Sequence, residues 1–196
     1  REPGDIDVVA DTLELSSNDR ERIGVIDIII HPEYDRNTAY ADIAIVKLAG
    51  DSRAGTADII SSDLFSRWSS LLDADSTATV FGWGATAERT RSNHLQSVAL
   101  PLVDAETCQS AYSDEGYVVA QGTICAGFAS GGKDACRGDS GGPLMMPNPE
   151  NGSWLQIGIV SWGEGCAEAD SYGVYTSILP YLSWISETVV NEVTVV

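Results

Sequence analysis

Short runs of alternating or β-branched apolar residues, separated by turn residues, dominate the chain up to about residue 177. Such runs, bounded by Gly, Pro, Asn and Asp, are typical of the strands of a β-sandwich or barrel. They predict strands at Asp7–Val9, Arg22–Ile30, Asp42–Leu48, Thr77–Phe81, Gln96–Val103, Thr123–Ala126, Pro143–Met146, Trp154–Ser161 and Gly173–Ser177. The pattern therefore indicates an all-β fold.

Two segments have the pattern of helices instead. Asp104 can cap a short helix that runs through Tyr112. Pro180 is predicted to begin a second helix, interpreted as a packing element, with one apolar face formed by Tyr181, Leu182, Ile185 and Val189. Residues 59–76, between the two halves of the strand pattern, are interpreted as a connection between two β modules.

Composition and charge narrow the class of protein. The 196 residues are enough for one or two domains with a sizeable core, and no apolar run is long enough to span a membrane. The net charge of −18 excludes nucleic-acid binding, which requires clustered Lys and Arg. It is interpreted as a solvating acidic surface that also attracts cationic partners, rather than as a specific steering device. The opening REPGDIDVV lacks the pattern of a signal peptide, so we expect a chain that begins after processing or is incomplete.

The four cysteines indicate the redox compartment in which the protein folds. Their even number suggests two disulfides and an oxidising compartment, so we expect a secreted, extracellular or periplasmic protein. A zinc site is not favoured, because the chain has no CxxC pair and both histidines lie far from the cysteines in sequence. Of the three ways to pair four cysteines, the count alone selects none.

The stretch CRGDSGGPLMM, residues 136–146, is the main candidate for chemistry. Ser140 in this glycine-rich loop is either a turn residue or a nucleophile whose neighbouring N–H groups can hold a substrate. The motif GDSGG also fits the nucleophile elbow of α/β-hydrolases, in which the histidine follows the serine. Here His31 and His94 both precede Ser140, and regular strand–helix alternation is missing, so that fold is excluded.

Five motifs in order along the chain carry a resemblance. The segments ADIAIVKL, VFGWGAT, DACRGDSGGPL, VSWGEGCA and YGVYT together resemble the trypsin/chymotrypsin family of serine endopeptidases, from about Asp5 to Val190. The resemblance implies two antiparallel six-stranded barrels, the first of them incomplete, followed by a C-terminal helix. Residues 1–70 would hold the second part of the N-terminal barrel with the linker, and residues 71–196 the C-terminal barrel and helix.

The resemblance also implies roles for individual residues. Ser140 matches the nucleophile that forms the acyl-enzyme, and Asp42 matches the aspartate that orients the catalytic histidine. The backbone N–H groups of Gly138 and Ser140 would form the oxyanion hole, with glycine at 138 keeping the approach to the substrate carbonyl free. Asp134 matches the specificity position at the base of the pocket, where an aspartate implies cleavage after Arg or Lys.

The remaining matches concern the pocket and activation. Gly163 and Gly173 match pocket-wall positions, and the segment Ser161, Trp162 and Gly163 matches the one that pairs with the substrate backbone. Asp139 matches the residue that receives the new N-terminal ammonium after zymogen cleavage.

The family's disulfide pattern pairs Cys108 with Cys125 and Cys136 with Cys166. Tyr172 matches a position where some relatives carry Tyr and bind sodium. Arg20 lies about where the family's calcium-binding loop has a carboxylate, which disfavours a calcium site. We expect neither a cofactor nor a bound metal.

The family's catalytic histidine has no counterpart in this sequence. No TAAHC-like segment precedes Asp42; His31 matches a non-catalytic surface position and His94 falls in a loop after GWG. The IVGG-like start and the cysteine pair that flanks the histidine are missing as well, so we interpret the chain as truncated at its N-terminus. We expect the chain alone to be inactive. The protein it comes from is expected to cleave protein substrates after basic residues and to be bound by protein inhibitors. The alternative is a catalytically inactive homologue that acts as a binding or regulatory module.

Overall fold

The computed structural model describes residues 2–86, 90–113 and 116–194. In this part of the chain two sheets are formed by strands β1 Asp7–Ala10, β2 Glu21–Ile30, β3 Ala44–Leu48, β4 Asp58–Ile59, β5 Thr77–Gly82, β6 Gln96–Val103, β7 Thr123–Ala126, β8 Pro143–Pro147, β9 Trp154–Trp162 and β10 Gly173–Ser177. Three α-helices accompany them: α1 Ser62–Arg67, α2 Ala105–Ser113 and α3 Leu182–Thr194.

Six of the strands close into an antiparallel barrel. The order is β5–β6–β7–β10–β9–β8, and β8 returns to β5 through the pairs Thr79–Met145 and Val80–Leu144. The short strand β4 adds to the outside of this barrel, parallel to β9. Large apolar side chains fill the interior, led by Leu100, Leu144, Leu155, Ile157 and Tyr175, each at most 1% exposed.

The other sheet has three antiparallel strands in the order β1–β2–β3. Ile30 and Val46 project from one face of it and are 58% and 44% exposed. The predicted fold class, an all-β chain with one closed six-stranded barrel and one incomplete barrel, is confirmed. The proposed division at residue 70 stays a prediction.

All nine predicted strands are present, with differences at their ends. The largest difference is at Asp42, which was expected to begin a strand although β3 starts only at Ala44. The backbone carbonyl and the carboxylate of Asp42 instead accept hydrogen bonds from Thr176 and Ser161 of the barrel. The two-residue strand β4 was not predicted.

The short helix α2 is as expected, because the Thr107 N–H donates to the Asp104 carboxylate over 2.8 Å and caps it. Residues 59–76, expected to be a plain connection, contain helix α1. Its N-cap is Ser61, whose Oγ accepts a hydrogen bond from the Leu64 N–H. Ser61 carried the signal that could have revealed this helix.

The C-terminal helix begins later than predicted. Pro180 lies in a 3₁₀ turn, Leu179–Tyr181, and α3 starts at Leu182. Tyr181 is buried, whereas Val189 is 48% exposed and does not belong to the packing face. No helix in the described ranges is long and apolar enough to cross a membrane.

Candidate active site

The loop that carries Ser140 presents two backbone N–H groups without a partner. The neighbouring N–H groups of Asp139, Gly141 and Gly142 donate to the carbonyls of Cys136, Val160 and Asp139, a set of three bonds that fixes the loop. The N–H groups of Gly138 and Ser140 donate to no described residue, and Ser140 is exposed. Unpaired donors on either side of Asp139 are an arrangement that can bind an anionic oxygen.

The structure gives a reason for glycine at 138 in addition to the expected one, which stays a prediction. Its φ of +104° lies in the left-handed region that side chains disfavour. A Cβ at this position would lie 3.2 Å from Gly84 Cα and 3.3 Å from Arg91 Nε. A side chain would therefore crowd Gly84 and Arg91 and strain the backbone.

Asp42 is held by two residues of the barrel. Ser161 Oγ donates to Asp42 Oδ2 over 2.7 Å, and Thr176 Oγ1 donates to the Asp42 carbonyl over 2.9 Å. No donor within the described part of the chain pairs with the other carboxylate oxygen, Oδ1. The carboxylate thus has one oxygen fixed and the other available.

A cavity of about 310 Å³ opens beside Ser140. It brings together most of the residues that the sequence singled out: Asp134, Cys136, Ser140, Ser161, Trp162, Gly163 and Gly173. Asp42 does not line the cavity but contacts it through Ser161. Its volume is enough for one long side chain or a small ring.

Asp134 lies in this cavity with one oxygen unsatisfied. Oδ2 accepts a hydrogen bond from the Ala167 N–H over 3.1 Å, whereas Oδ1 is buried without a partner among the described residues. Burial raises the pKa of this carboxyl above its usual value. The Tyr175 hydroxyl is likewise buried and unpaired, and burial raises its pKa too. A polar, cationic group would satisfy both.

The two pocket glycines differ in how closely they are packed. A Cβ at Gly173 would lie 2.8 Å from the Tyr175 hydroxyl and 3.0 Å from Asp134 Oδ1. A Cβ at Gly163 would have no neighbour closer than 3.7 Å, which is ordinary contact. Only at Gly173 does the fold itself exclude a side chain.

Aromatic rings support the wall of the cavity formed by Trp162. Its ring lies 4.8 Å from that of Tyr112 and 5.8 Å from that of Tyr117, measured between centroids. The Tyr112 hydroxyl donates to the carbonyl of Tyr172, which is itself buried. Tyr112 of helix α2 therefore contacts both the last residue of β9 and the residue that precedes β10.

Asp139 does not line this cavity. Its Oδ1 accepts from the Gly84 N–H over 2.8 Å and its Oδ2 from the Cys136 N–H over 3.0 Å. A second, smaller cavity of about 140 Å³ is bordered by Gly82, Gly84 and Asp139.

The structure contains the two disulfides that the resemblance implies. Cys108–Cys125 joins α2 to β7. Cys136–Cys166 joins the Ser140 loop to the opposite rim of the cavity, across a Cα–Cα distance of 5.3 Å. The second bridge therefore fixes the width of the cavity entrance.

Neither histidine lines the cavity. His31 is buried, and its ring contacts Tyr181 and Trp184 at centroid distances of 5.1 and 4.8 Å while Nδ1 accepts from the Glu33 N–H. His94 is exposed and pairs with Glu14 in a β-bridge. The expected surface position of His31 is wrong, because its ring packs against Tyr181 and Trp184, and the identity of the base that would act on Ser140 stays a prediction.

Comparison with known proteins identifies the family. A model of the trypsin family matches residues 1–185. The chain is 38% identical over 170 residues to mannan-binding lectin serine protease 1 of Homo sapiens and 37% to that of Rattus norvegicus, in each case over 87% of this chain and 24% of the relative. It is 36% identical over 177 residues to coagulation factor XI of Bos taurus, 86% of this chain and 26% of that protein. The chain belongs to the trypsin family of serine proteases, and it spans about a quarter of the length of these curated relatives.

Sequence reasoning missed three contributions to the site. The Ser161 side chain was assigned only to substrate pairing, although its hydroxyl holds Asp42. Tyr175 and Thr176 belong to the motif YGVYT, but roles were assigned only to its first two residues, Tyr172 and Gly173. Thr176 donates a hydrogen bond to Asp42, and the Tyr175 hydroxyl and Asp134 Oδ1 both lie beside Gly173, which the linear motif does not show.

Proposed function

We propose that the protein containing this chain is a secreted endopeptidase that cleaves peptide bonds after Arg or Lys through an acyl-enzyme. The observation that carries the reaction is the pair of unpaired N–H groups at Gly138 and Ser140 beside an exposed hydroxyl. The observation that supports the specificity is the buried, unpaired Oδ1 of Asp134 in the adjacent cavity. The two disulfides support an oxidising compartment.

The reaction begins when Ser140 Oγ attacks the carbonyl carbon of the substrate. A histidine takes the hydroxyl proton and passes it to the leaving amine as the peptide bond breaks, which leaves the acyl group on Ser140. Water then hydrolyses the ester. During both steps the Gly138 and Ser140 N–H groups hold the oxyanion, and one such donor contributes about 3–4 kcal/mol to the transition state.

The histidine is assigned to a position outside residues 1–196. His31 and His94 are held elsewhere, whereas Asp42 keeps Oδ1 available for the Nδ1–H of an imidazole. Ser161 keeps the carboxylate in the orientation that this bond requires.

The cationic end of an Arg or Lys side chain would pair with Asp134 at the base of the 310 Å³ cavity. Ser161, Trp162 and Gly163 would pair with the substrate backbone as an added strand. Gly173 leaves the space in front of the carboxylate open. A buried charged hydrogen bond of this kind contributes about 1.5–3 kcal/mol, and leaving the carboxylate unpaired costs more.

Activation would act through Asp139. A new N-terminal ammonium would enter the 140 Å³ cavity and pair with the Asp139 carboxylate, which already accepts from Gly84 and Cys136. That ion pair would hold the Gly138 N–H in place.

The experiment is titration of the activated full-length protein with a burst titrant for trypsin-like enzymes. We expect about one burst per molecule, no burst from the Ser140→Ala variant, and a full burst from Ser66→Ala on α1 as the matched control. Residues 1–196 alone should give no burst, because the proton acceptor is missing. Asp134→Ser should lower kcat/KM for substrates with Arg by at least about 100-fold.

Absence of a burst from the folded, activated protein would favour the alternative, a catalytically inactive homologue that binds protein partners. A burst from residues 1–196 alone would show that a histidine of this chain serves as the base, and His94→Gln would then abolish it. An intact enzyme that preferred Phe or Leu before the cleaved bond would overturn the role of Asp134.

A further inference from the structure

Two arginines lie against the Gly138–Ser140 segment. Arg137 immediately precedes Gly138 and lines the 310 Å³ cavity together with Ser140. A Cβ on Gly138 would lie 3.3 Å from Arg91 Nε and 3.8 Å from its Cζ, so the guanidinium of Arg91 covers that glycine. Ala85 connects the two, because its N–H donates to the Arg137 carbonyl over 2.9 Å and it pairs with Arg91 in a β-bridge.

Both arginines lack a carboxylate partner in the part of the chain that the structure describes. The chain has 29 acidic and only 11 basic residues. Arg22, Arg53 and Arg67 each form an ion pair with a carboxylate of the chain. Arg91 and Arg137 form none and are exposed. Asp139, two residues after Arg137, accepts hydrogen bonds from the N–H groups of Gly84 and Cys136 and forms no ion pair with either arginine among the described residues.

The position of the two arginines relative to the cavity indicates which side of a bound substrate they would contact. The acyl side of a substrate occupies the cavity and its Ser161–Gly163 wall, and its carbonyl oxygen lies at the Gly138 and Ser140 N–H groups. The leaving side must continue beyond Gly138, away from that wall. Arg91 lies there, since it covers Gly138 without lining the cavity, and Arg137 borders the same segment.

We propose that Arg91 and Arg137 form a cationic subsite that selects substrates with Asp or Glu at the first or second position after the cleaved bond. The inference rests on the proposed endopeptidase function and adds a second specificity to it. The ideal cleavage sequence then has a basic residue before the bond and an acidic residue after it. Charge complementarity of this kind discriminates between substrates mainly by repelling side chains of the same charge, here a Lys or Arg after the cleaved bond.

The test uses the activated full-length protein and peptides that share an Arg before the bond and carry Glu, Gln or Lys at each of the two following positions. We expect kcat/KM for Glu to exceed that for Lys by about tenfold, because the two exposed arginines attract a Glu weakly and repel a Lys weakly. The ratio should fall towards one as salt screens the charges. The Arg91→Gln/Arg137→Gln variant should lose the ratio, and Arg91→Glu/Arg137→Glu should invert it.

The matched control is Arg22→Gln/Arg67→Gln, which removes two exposed arginines that are paired with Asp7, Asp63 and Glu150. It should keep the full ratio. A wild-type ratio near one, or a ratio that survives in the double glutamine variant, would overturn the cationic subsite while cleavage after Arg persists. If no peptide of the series is cleaved, the endopeptidase proposal itself is wrong.

Discussion

Ser161 and Asp42, 119 residues apart in the chain, are joined by a 2.7 Å hydrogen bond from Ser161 Oγ to Asp42 Oδ2. Asp42 precedes the last strand of the incomplete sheet, and Ser161 lies on β9 of the closed barrel. One carboxylate oxygen is thereby fixed from the barrel side and the other stays available. The bond positions the aspartate relative to the cavity that holds Ser140.

Removing this hydrogen bond should impair catalysis more than binding. We expect Ser161→Ala in the activated full-length protein to lower kcat about tenfold, because a hydrogen bond to a charged group is worth roughly 1.5–3 kcal/mol. Steady-state kinetics separate kcat from KM. Ser161→Thr keeps the hydroxyl and should recover activity, whereas an unchanged kcat in Ser161→Ala would show that Asp42 is held by other contacts.

The buried carboxyl of Asp134 should make stability depend on pH. Its pKa is raised by burial, so the folded state binds its proton more tightly than the unfolded state. Its protonation therefore favours folding at low pH, and this contribution is lost as the pH rises from the ordinary carboxyl pKa of 3.8 through the raised value. We expect Asp134→Asn to be more stable than the natural chain at pH 7, with a gap that closes towards pH 3.

Urea unfolding as a function of pH measures that gap. The control is Asp51→Asn, which changes an exposed aspartate in a loop. The interpretation fails if Asp134→Asn and the natural chain keep a constant difference across the whole range.

The two pocket glycines should respond differently to alanine. Gly173→Ala places a methyl group 2.8 Å from the Tyr175 hydroxyl and 3.0 Å from Asp134 Oδ1, so it should lower the free energy of unfolding by about 1–3 kcal/mol. Gly163→Ala meets nothing closer than 3.7 Å and should change stability by less than about 0.5 kcal/mol. Equal losses of stability in the two variants, measured by urea unfolding, would contradict this packing.

Ala39 carries backbone strain that a glycine would relieve. Its φ of +53° is in the left-handed region, which is unfavourable by about 1–2 kcal/mol for a residue with a Cβ. We expect Ala39→Gly to raise the free energy of unfolding by several tenths to about 1 kcal/mol. Ala54→Gly is the control: this half-buried loop alanine has no positive φ, and the change should be neutral or destabilising.

Hydrophobic patterning was sufficient to predict most strands of this fold. Side chains that pack on one face of a sheet alternate with exposed ones, and this alternation is visible in a short stretch of sequence. The barrel strand Gln96–Val103 and the strand Gly173–Ser177 were predicted to the residue. The short strand β4 was missed because two residues leave no pattern, and its pairing with β9 is contributed by a segment about 100 residues away.

The candidate site was found through motifs, and its geometry required the structure. The motif around Ser140 located the loop, but not which of its N–H groups lack partners. Three features depend on segments that are distant in sequence: the hydrogen bond between Ser161 and Asp42, the burial of the unpaired Asp134 Oδ1, and the packing of Arg91 against Gly138. No local pattern can report such contacts.

The exposed face of the three-stranded sheet has a consequence for handling the isolated chain. Ile30 and Val46 are open to water there, and a net charge of −18 keeps one molecule away from the next. The chain is therefore dispersed by long-range repulsion, and added salt shortens the range of that repulsion without covering the apolar face. Residues 1–196 should thus form a clear solution in dilute buffer and become turbid as ionic strength rises, at a rate that increases with protein concentration.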